Sequence, residues 1–134
     1  MEMILPSVLL RRALLLDAAC SGGMGLVLAL AAAPLGGWFH LPEALLREAG
    51  LFLLAFAAAL GWLGSRPAVP RWAVLGVIIG NALWAIDSVL LLLPGWIAPN
   101  WLGVGFILAQ ALIVAALAEL EYAGLRRSAR AVTA

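Results

Sequence analysis

Four long stretches of apolar residues dominate the sequence, and short segments containing proline, glycine and charged residues separate them. A helix needs about 20 mostly apolar residues to cross a bilayer, because every backbone amide must find its hydrogen bond within the segment. The first stretch ends before Pro34, Gly36 and Gly37, and a proline stands just before each of the other three. The pattern predicts membrane-spanning helices at about 9–33, 43–63, 71–93 and 101–125.

The connections between these stretches are too short to hold another folded unit. Consecutive helices joined by such short links are expected to be antiparallel neighbours. The sequence therefore predicts an all-α fold, an integral membrane four-helix bundle of up-down-up-down topology, in which residues 1–134 form a single transmembrane domain.

Composition supports a membrane protein and excludes several other classes. Hydrophobic residues make up 66% of the chain and charged residues 11%, a balance far from that of a soluble domain. A net charge of +1 provides no dense basic surface, so no nucleic acid partner is expected. Cys20 is the single cysteine, so the chain forms no internal disulfide, and we expect this thiol to be buried.

The arginines predict the orientation in the membrane, because positive residues that flank short loops stay in the cytoplasm. All basic residues are arginine, and only Arg47 lies on the side opposite to the others. The prediction is a multi-pass protein of the inner membrane with both termini cytoplasmic. The arginines on the cytoplasmic side are Arg11, Arg12, Arg66, Arg71, Arg126, Arg127 and Arg130.

Asp17 and Glu121 are the charged residues most in need of partners. A charged side chain at bilayer depth costs at least ~2.5 kcal/mol. Asp17 shares a helix stripe with Ser21 and Gly25, whereas Glu119 points away from the face that carries Glu121. Helical rise puts Asp17 and Glu121 at a similar depth near the cytoplasmic side. Arg11, Arg12, Arg126 or a shared proton are the partners that we expect for them.

Other polar residues extend this set toward the opposite side of the membrane. Helical rise places Asn81 and Gln110 near the middle, and Asp87 in the outer half with Arg47, as an expected ion pair. Trp84 lies between two polar edges of its helix and is expected to donate its indole hydrogen to one of them. Two interpretations stay open: polar groups that only fix helix packing, and a polar track for a proton or a ligand headgroup.

Small residues predict where helices approach closely. Glycines allow neighbouring helix backbones to come into contact. We expect helix packing at one cluster in the first helix and at a GxxxG pair in the third, either within the chain or between copies. These residues are Gly22, Gly23, Gly25, Gly76 and Gly80.

No catalytic or metal-binding constellation stands out. His40 is the only histidine and falls in a predicted loop, which argues against paired haem ligands and against a Ser/His/Asp triad. We therefore predict no catalytic residues, no metal and no resident cofactor, while a bound lipid or quinone is compatible with the apolar bundle.

The stretch Phe39-His40-Leu41-Pro42-Glu43-Ala44-Leu45-Leu46, leading into an alanine- and glycine-rich helix, resembles the DoxX-like group of small four-helix bacterial membrane proteins. The resemblance covers the first two helices and implies a link to quinone chemistry, which some members of that group have, but it carries over no catalytic residue. The chain also resembles small multidrug resistance transporters in architecture, because these have four short helices and a carboxylate in the first of them.

Three functions follow as hypotheses. The first is a non-enzymatic binding or accessory subunit that associates with itself or with a larger membrane complex. The second is a small proton-coupled transporter that uses its intramembrane carboxylates. The third is a quinone- or lipid-binding redox subunit in which Trp84, Asn81 and Gln110 surround an apolar pocket.

Overall fold

The computed structural model describes residues 2–93 and 95–131, and within them the chain is predominantly helical. Four of the helices are long and apolar enough to cross a membrane, as expected for a multi-pass membrane protein. The elements in chain order are β1 (Met3–Leu5), α1 (Val8–Leu30), α2 (Ala32–Phe39), α3 (Glu43–Gly64), β2 (Val69–Pro70), α4 (Arg71–Leu90), α5 (Trp101–Arg126) and β3 (Ala129–Arg130).

The long helices begin where the sequence provides suitable caps. The Ser7 hydroxyl accepts a hydrogen bond from the backbone N–H of Leu10 at the start of α1. The Asn100 side chain accepts one from Gly103 at the start of α5. Pro42 and Pro70 occupy the capping positions of α3 and α4, where the missing proline N–H has no consequence for the helix.

The prediction of a single first helix at 9–33 is wrong at its C-terminal end. α1 stops at Leu30, and α2 continues through Pro34, Gly36 and Gly37. Pro34 is the third residue of α2, within the first turn, where its missing N–H has no partner to lose. His40, with a φ of 53°, ends α2 in the left-handed conformation. The third predicted helix is also shorter than 71–93, since α4 ends at Leu90.

A small three-stranded sheet of order β2-β1-β3 was not predicted from the sequence. Ile4 pairs with Val69 on one side and with Arg130 on the other, both antiparallel. The sheet joins the segment before α1, the connection between α3 and α4, and the segment after α5. These segments therefore lie at the same end of the helical bundle.

The helices pack as two hairpins that meet along α1 and α5. The most extensive contacts are those of α1 with α3 and of α4 with α5, followed by those of α1 with α5. Although α3 and α4 are consecutive, they are not an extensively packed pair, contrary to the expectation for short connections. Bulky rings hold their backbones apart, because Phe52 of α3 stacks on Trp84 of α4 with ring centroids 5.7 Å apart.

The glycines predicted to pack helices together have different surroundings within the chain. A Cβ on Gly25 would lie 2.9 Å from the carbonyl oxygen of Gly50, so α1 and α3 cross in close contact there. Gly22 approaches Ala57 at ordinary distance. Gly23, Gly76 and Gly80, however, face open space, because no other described part of the chain would lie within 4 Å of a Cβ at these positions. Gly76 and Gly80 miss the interface because α4 turns Val74, Asn81 and Ala85 inward instead.

The expectation that Cys20 is buried is also wrong. Its side chain lies on the exposed surface of the bundle. Cys20 is three residues from Asp17, but the inward stripe of α1 continues from Asp17 to Ser21 and leaves Cys20 outside it.

Two apolar clusters fill the bundle, one toward the sheet and one toward the opposite end. The first includes Leu10, Leu14, Leu60 and Leu125. The second, at the far end, includes Leu28, Phe39, Leu46, Leu53 and Ile107. Along α1 the buried positions between Leu14 and Gly25 are Asp17 and Ser21, so a polar layer separates the two clusters.

Candidate functional site

Three helices bring four buried polar side chains into one hydrogen-bonded cluster, which we call the carboxylate cluster: Asp17, Ser21, Asn81 and Glu121. The Asn81 Nδ2 amide donates to Asp17 Oδ2 and to Glu121 Oε1, each at 2.7 Å. The Ser21 hydroxyl donates to Asp17 Oδ1 at 3.0 Å. Asp17 is 1% exposed and Glu121 0%, so both acids lie in the interior of the bundle.

Helical periodicity explains how each helix provides its part of the carboxylate cluster. Asp17 and Ser21 are four residues apart on α1 and therefore lie one above the other on its inward face. Asn81 belongs to the inward face of α4 with Val74 and Ala85. Glu121 lies on the buried face of α5, whereas Glu119 is exposed, as the sequence predicted.

The expected ion pairs of the two acids with arginines are not found. Neither acid takes part in an ion pair within residues 2–93 and 95–131. Arg11 donates instead to the Gly64 carbonyl at 2.6 Å, and the Arg126 guanidinium lies 5.9 Å from the ring centroid of Tyr122. Both arginines, as well as the exposed Arg12, lie nearer to the ends of their helices than the two acids do. Long arginine side chains reach polar surroundings from such positions.

Without a cation, the two carboxylates of the carboxylate cluster repel each other when both are charged. The shared amide holds their nearest oxygens within twice the 2.7 Å bond length of each other. Two unit charges about 5 Å apart repel by about 3 kcal/mol at an effective dielectric constant of about 20. The hydrogen bonds from one amide and one hydroxyl offset only part of this repulsion. Two charged carboxylates are therefore not fully compensated in the carboxylate cluster.

The two acids differ in how well their oxygens are satisfied. Both oxygens of Asp17 accept a hydrogen bond, one from Ser21 and one from Asn81. Glu121 accepts one at Oε1, and its Oε2 atom is buried with no hydrogen-bond partner among the described residues. A buried oxygen without a partner is rare in folded proteins and marks a position where a proton or a ligand can bind.

A second polar group lies one helical turn beyond Asn81. The Trp84 Nε1 atom donates to Gln110 Oε1 at 2.8 Å, and Gln110 Nε2 donates to the Ile107 carbonyl at 2.9 Å. The Ser88 hydroxyl donates to the Trp84 carbonyl at 2.6 Å. The indole hydrogen of Trp84 thus crosses to α5 and does not bond to the polar edges of its own helix.

Two cavities border these polar residues. The larger, of about 310 Å³, is enclosed mainly by leucines and by Phe106, and its polar wall consists of Trp84, Asp87, Ser88 and Gln110. The smaller, of about 210 Å³, lies between α3 and α4 and is lined by Phe52, Phe56, Gly80, Ser21 and Asn81. Leu53, Trp84 and Asp87 line both cavities, so the two are neighbours on either side of the indole ring.

The depth predicted for Asn81 is only partly right. Asn81 was expected beside Gln110 in the middle of the membrane, but it bonds to Asp17 and Glu121, while Gln110 bonds to Trp84. Counting residues from the helix ends assumes parallel helices of equal length. α4 has 20 residues and α5 has 26, so equal counts from the ends do not give equal depths.

Asp87 and Arg47 do not form the expected pair. Arg47 bonds to Glu43, one turn earlier on α3, at the exposed start of that helix. A partner on the same helix needs no approach of another helix, and α3 and α4 are held apart. Asp87 is exposed and lies at the rim of both cavities.

Sequence reasoning missed three residues that shape the site. Gly50 allows the close crossing of α1 and α3, since a Cβ there would lie 2.5 Å from the Ala29 nitrogen. Phe52 and Phe56 separate α3 from α4 and line the smaller cavity. Each looks like an ordinary apolar or small residue of a membrane helix, so only the helix arrangement reveals its role.

The carboxylate cluster is built from oxygen and amide groups. In the part of the chain that the structure describes, no group of three or more histidine, cysteine or acidic side chains is placed to hold a metal ion. The carboxylate cluster offers oxygen acceptors and an amide, which can hold a proton or a polar headgroup.

The fold and the site together define a small multi-pass membrane protein with a buried acid pair beside two cavities. No protein-family model, no curated protein and no solved structure matches the chain. The resemblance of the first two predicted helices to DoxX-like proteins therefore stays a prediction.

Proposed function

We propose that this protein is a non-enzymatic binding or accessory subunit that takes up an amphipathic molecule of the bilayer, a lipid or a quinone, in its larger cavity. The observation that carries the proposal is the composition of that cavity. About 310 Å³ of mostly apolar space ends at a polar wall formed by four residues: Trp84, Asp87, Ser88 and Gln110. Ligand sites have this combination of a mostly apolar lining with a few convergent polar groups.

The two parts of the cavity suit the two parts of such a ligand. An acyl or isoprenoid chain would lie among Leu28, Leu46 and Leu53, which are buried in the far apolar cluster. A headgroup oxygen would accept a hydrogen bond from the Ser88 hydroxyl or the Gln110 amide. Both groups now bond to backbone carbonyls of α4 and α5, and a ligand would compete for their hydrogens.

The experiment compares ligands that copurify with the wild-type protein and with a variant whose cavity is filled. Ala49 lines the larger cavity, and Ala55 is exposed on the same helix, so Ala49→Phe and Ala55→Phe are a matched pair. Lipids and quinones are extracted from each purified protein and measured by mass spectrometry. We expect a retained species in the wild type and in Ala55→Phe and its loss in Ala49→Phe.

Two results would contradict the proposal. One is a folded wild-type protein that retains no lipid or quinone beyond the detergent background. The other is an unchanged amount of retained species in folded Ala49→Phe. Ala49→Leu, which adds less volume, replaces the larger variant if Ala49→Phe does not give a monodisperse, helical protein.

The proposal includes an orientation: an up-down-up-down bundle in the inner membrane of a bacterium, with both termini in the cytoplasm. The bias of the arginines supports it, and so does the sheet, which holds Ile4, Val69 and Arg130 together at one end. A periplasm-active reporter fused after His40 should be active, and the same reporter after Leu125 should be inactive. The reverse pattern would overturn the orientation.

Proton-coupled transport is the second candidate, and the position of the carboxylate cluster favours it. Ser21 and Asn81 belong both to the carboxylate cluster and to the wall of the smaller cavity, so a substrate there would lie beside two acids. The test is ethidium movement driven by a pH gradient in proteoliposomes. Asp17→Asn should abolish it and Glu119→Gln, an exposed acid, should leave it intact. If the wild-type protein moves no ethidium, proton-coupled transport of such a cation is contradicted.

Association with a second copy, or with a larger membrane complex, is also part of the proposal. Gly23 on α1, and Gly76 and Gly80 on α4, present small faces that none of the described helices covers. Gly23→Ile and Gly76→Ile should lower the mass of the detergent-solubilised particle if these faces join copies. Unchanged mass in both folded variants excludes both faces as contacts between copies.

A further inference from the structure

We propose that the carboxylate cluster is an intramembrane proton-binding site in which Glu121 carries a proton at neutral pH. The inference rests on the hydrogen bonds and burial of the cluster, and it stands whether or not the larger cavity binds a ligand. A proton on Glu121 removes one negative charge from the polar layer between the two apolar clusters.

The carboxylate cluster has fewer donor hydrogens than carboxylate oxygens. Asn81 has two amide hydrogens, and both are used, one for each acid. Ser21 has one hydroxyl hydrogen, and it goes to Asp17. The carboxylate cluster thus provides three donor hydrogens for four carboxylate oxygens, and Glu121 Oε2 is the atom that lacks one. A proton on this oxygen supplies the missing hydrogen.

The groups that face Glu121 are an acid and a neutral amide. From α1 the group is Asp17, a second acid, and from α4 it is Asn81. α3 carries no charged residue between Ala49 and Gly64. Among the described residues no cation forms an ion pair with either acid, and a buried unpaired charge is neutralised by binding a proton.

The hydrogen bonds distinguish Glu121 from Asp17. Both oxygens of Asp17 accept a hydrogen bond, whereas Glu121 Oε2 accepts none among the described residues. Exposure does not separate the two acids, since Asp17 is 1% and Glu121 0% exposed. The proton is therefore assigned to Glu121, where it provides the missing hydrogen.

The smaller cavity borders the carboxylate cluster. Ser21 and Asn81 line this cavity, which opens between α3 and α4 beside Gly80, whereas Asp17 and Glu121 do not line it. Gly80 has open space where a side chain would stand. A water molecule in the cavity would therefore contact Ser21 and Asn81 and not the two acids themselves.

The experiment is infrared spectroscopy of the wild-type protein in lipid nanodiscs at neutral pH. A protonated carboxylic acid shows a C=O stretching band that is absent from carboxylates and that shifts in D₂O. Labelling with [¹³C]glutamate moves the band only if a glutamate carries the proton, which separates Glu121 from Asp17 and Asp87. We expect one such band, sensitive to the glutamate label.

Two variants assign the band within the glutamates. Glu121→Gln should remove it, and Glu119→Gln, which changes an exposed acid two residues away, should retain it. A folded wild-type protein without the band, or a band insensitive to the glutamate label, would overturn the proposal. So would a band that persists in folded Glu121→Gln. If that variant does not fold, the labelled wild-type spectrum still decides whether a glutamate carries the proton.

Discussion

Asn81 bonds to both acids of the carboxylate cluster, and we expect its replacement with leucine to cause a large loss of stability. Asn81 donates at 2.7 Å to Asp17 and at 2.7 Å to Glu121. Hydrogen bonds between membrane helices contribute ~0.6 kcal/mol on average and up to ~1.7 kcal/mol. Both bonds here go to buried carboxylates, which places them at the upper end, so Asn81→Leu should cost about 3 kcal/mol.

The assay is unfolding in mixed micelles by sodium dodecyl sulfate, followed by the loss of helical circular dichroism. A double-mutant cycle separates the hydrogen bonds from the change of shape. In a Glu121→Leu background, Asn81→Leu breaks only the bond to Asp17 and should cost about half as much. Glu119→Leu, at an exposed position of α5, serves as the control and should change stability by less than about 0.5 kcal/mol.

A cost of less than about 0.5 kcal/mol for Asn81→Leu would contradict a stabilising role of the two Asn81 hydrogen bonds. An equal cost with and without Glu121 would contradict the proposed geometry as well, because Asn81 would then not bridge the two acids.

Three further predictions follow from contacts described above, each measured by the same unfolding assay. Asp17→Asn should cost little and Asp17→Leu about 2 kcal/mol, because leucine leaves the donors of Ser21 and Asn81 unpaired; equal tolerance of both would place Asp17 outside the cluster. Gly50→Ala should cost about 1–3 kcal/mol, because the added methyl group overpacks against α1. Gly76 faces open space, so Gly76→Ala should stabilise the protein by up to about 1 kcal/mol through the higher helix propensity of alanine. Equal effects of the two substitutions would contradict the helix arrangement. Trp84→Phe should cost about 1 kcal/mol through loss of its bond to an α5 amide, and no cost would refute that bond.

The long helices were predictable because their physics is local. An apolar stretch of sufficient length, with a proline just before it, gives the bounds of α3 and α5 to within one residue of the prediction. The end of α1 was not predictable by the same means. Pro34 ends a helix when it stands in the interior and begins one when it stands in the first turn, and the sequence alone does not distinguish the two. The sheet was missed because strands of two or three residues show no alternation.

The carboxylate cluster was predictable in part. Asp17, Ser21 and Glu121 were identified because a charged residue at bilayer depth needs a polar partner and periodicity gives its face. The partner of both acids, Asn81, was assigned to another level, because its position depends on how α4 lies against α5. The GxxxG pair of α4 permits close packing, but its sequence does not indicate which helix approaches it. In the structure Gly76 and Gly80 face open space.

The division into two hairpins has a mechanical consequence. α1 and α3 form one closely packed pair of helices, and α4 and α5 form the other. The sheet joins the two pairs at one end, and the hydrogen bond from Asn100 Nδ2 to the Trp38 carbonyl joins them at the other. A movement that separates α3 from α4 would therefore have to break contacts between the two pairs, while the packing within each pair could stay intact. Between the two ends, the bond from Asn81 to Asp17 also crosses from one pair to the other. The carboxylate cluster thus resists separation of the two pairs in the middle of the bundle.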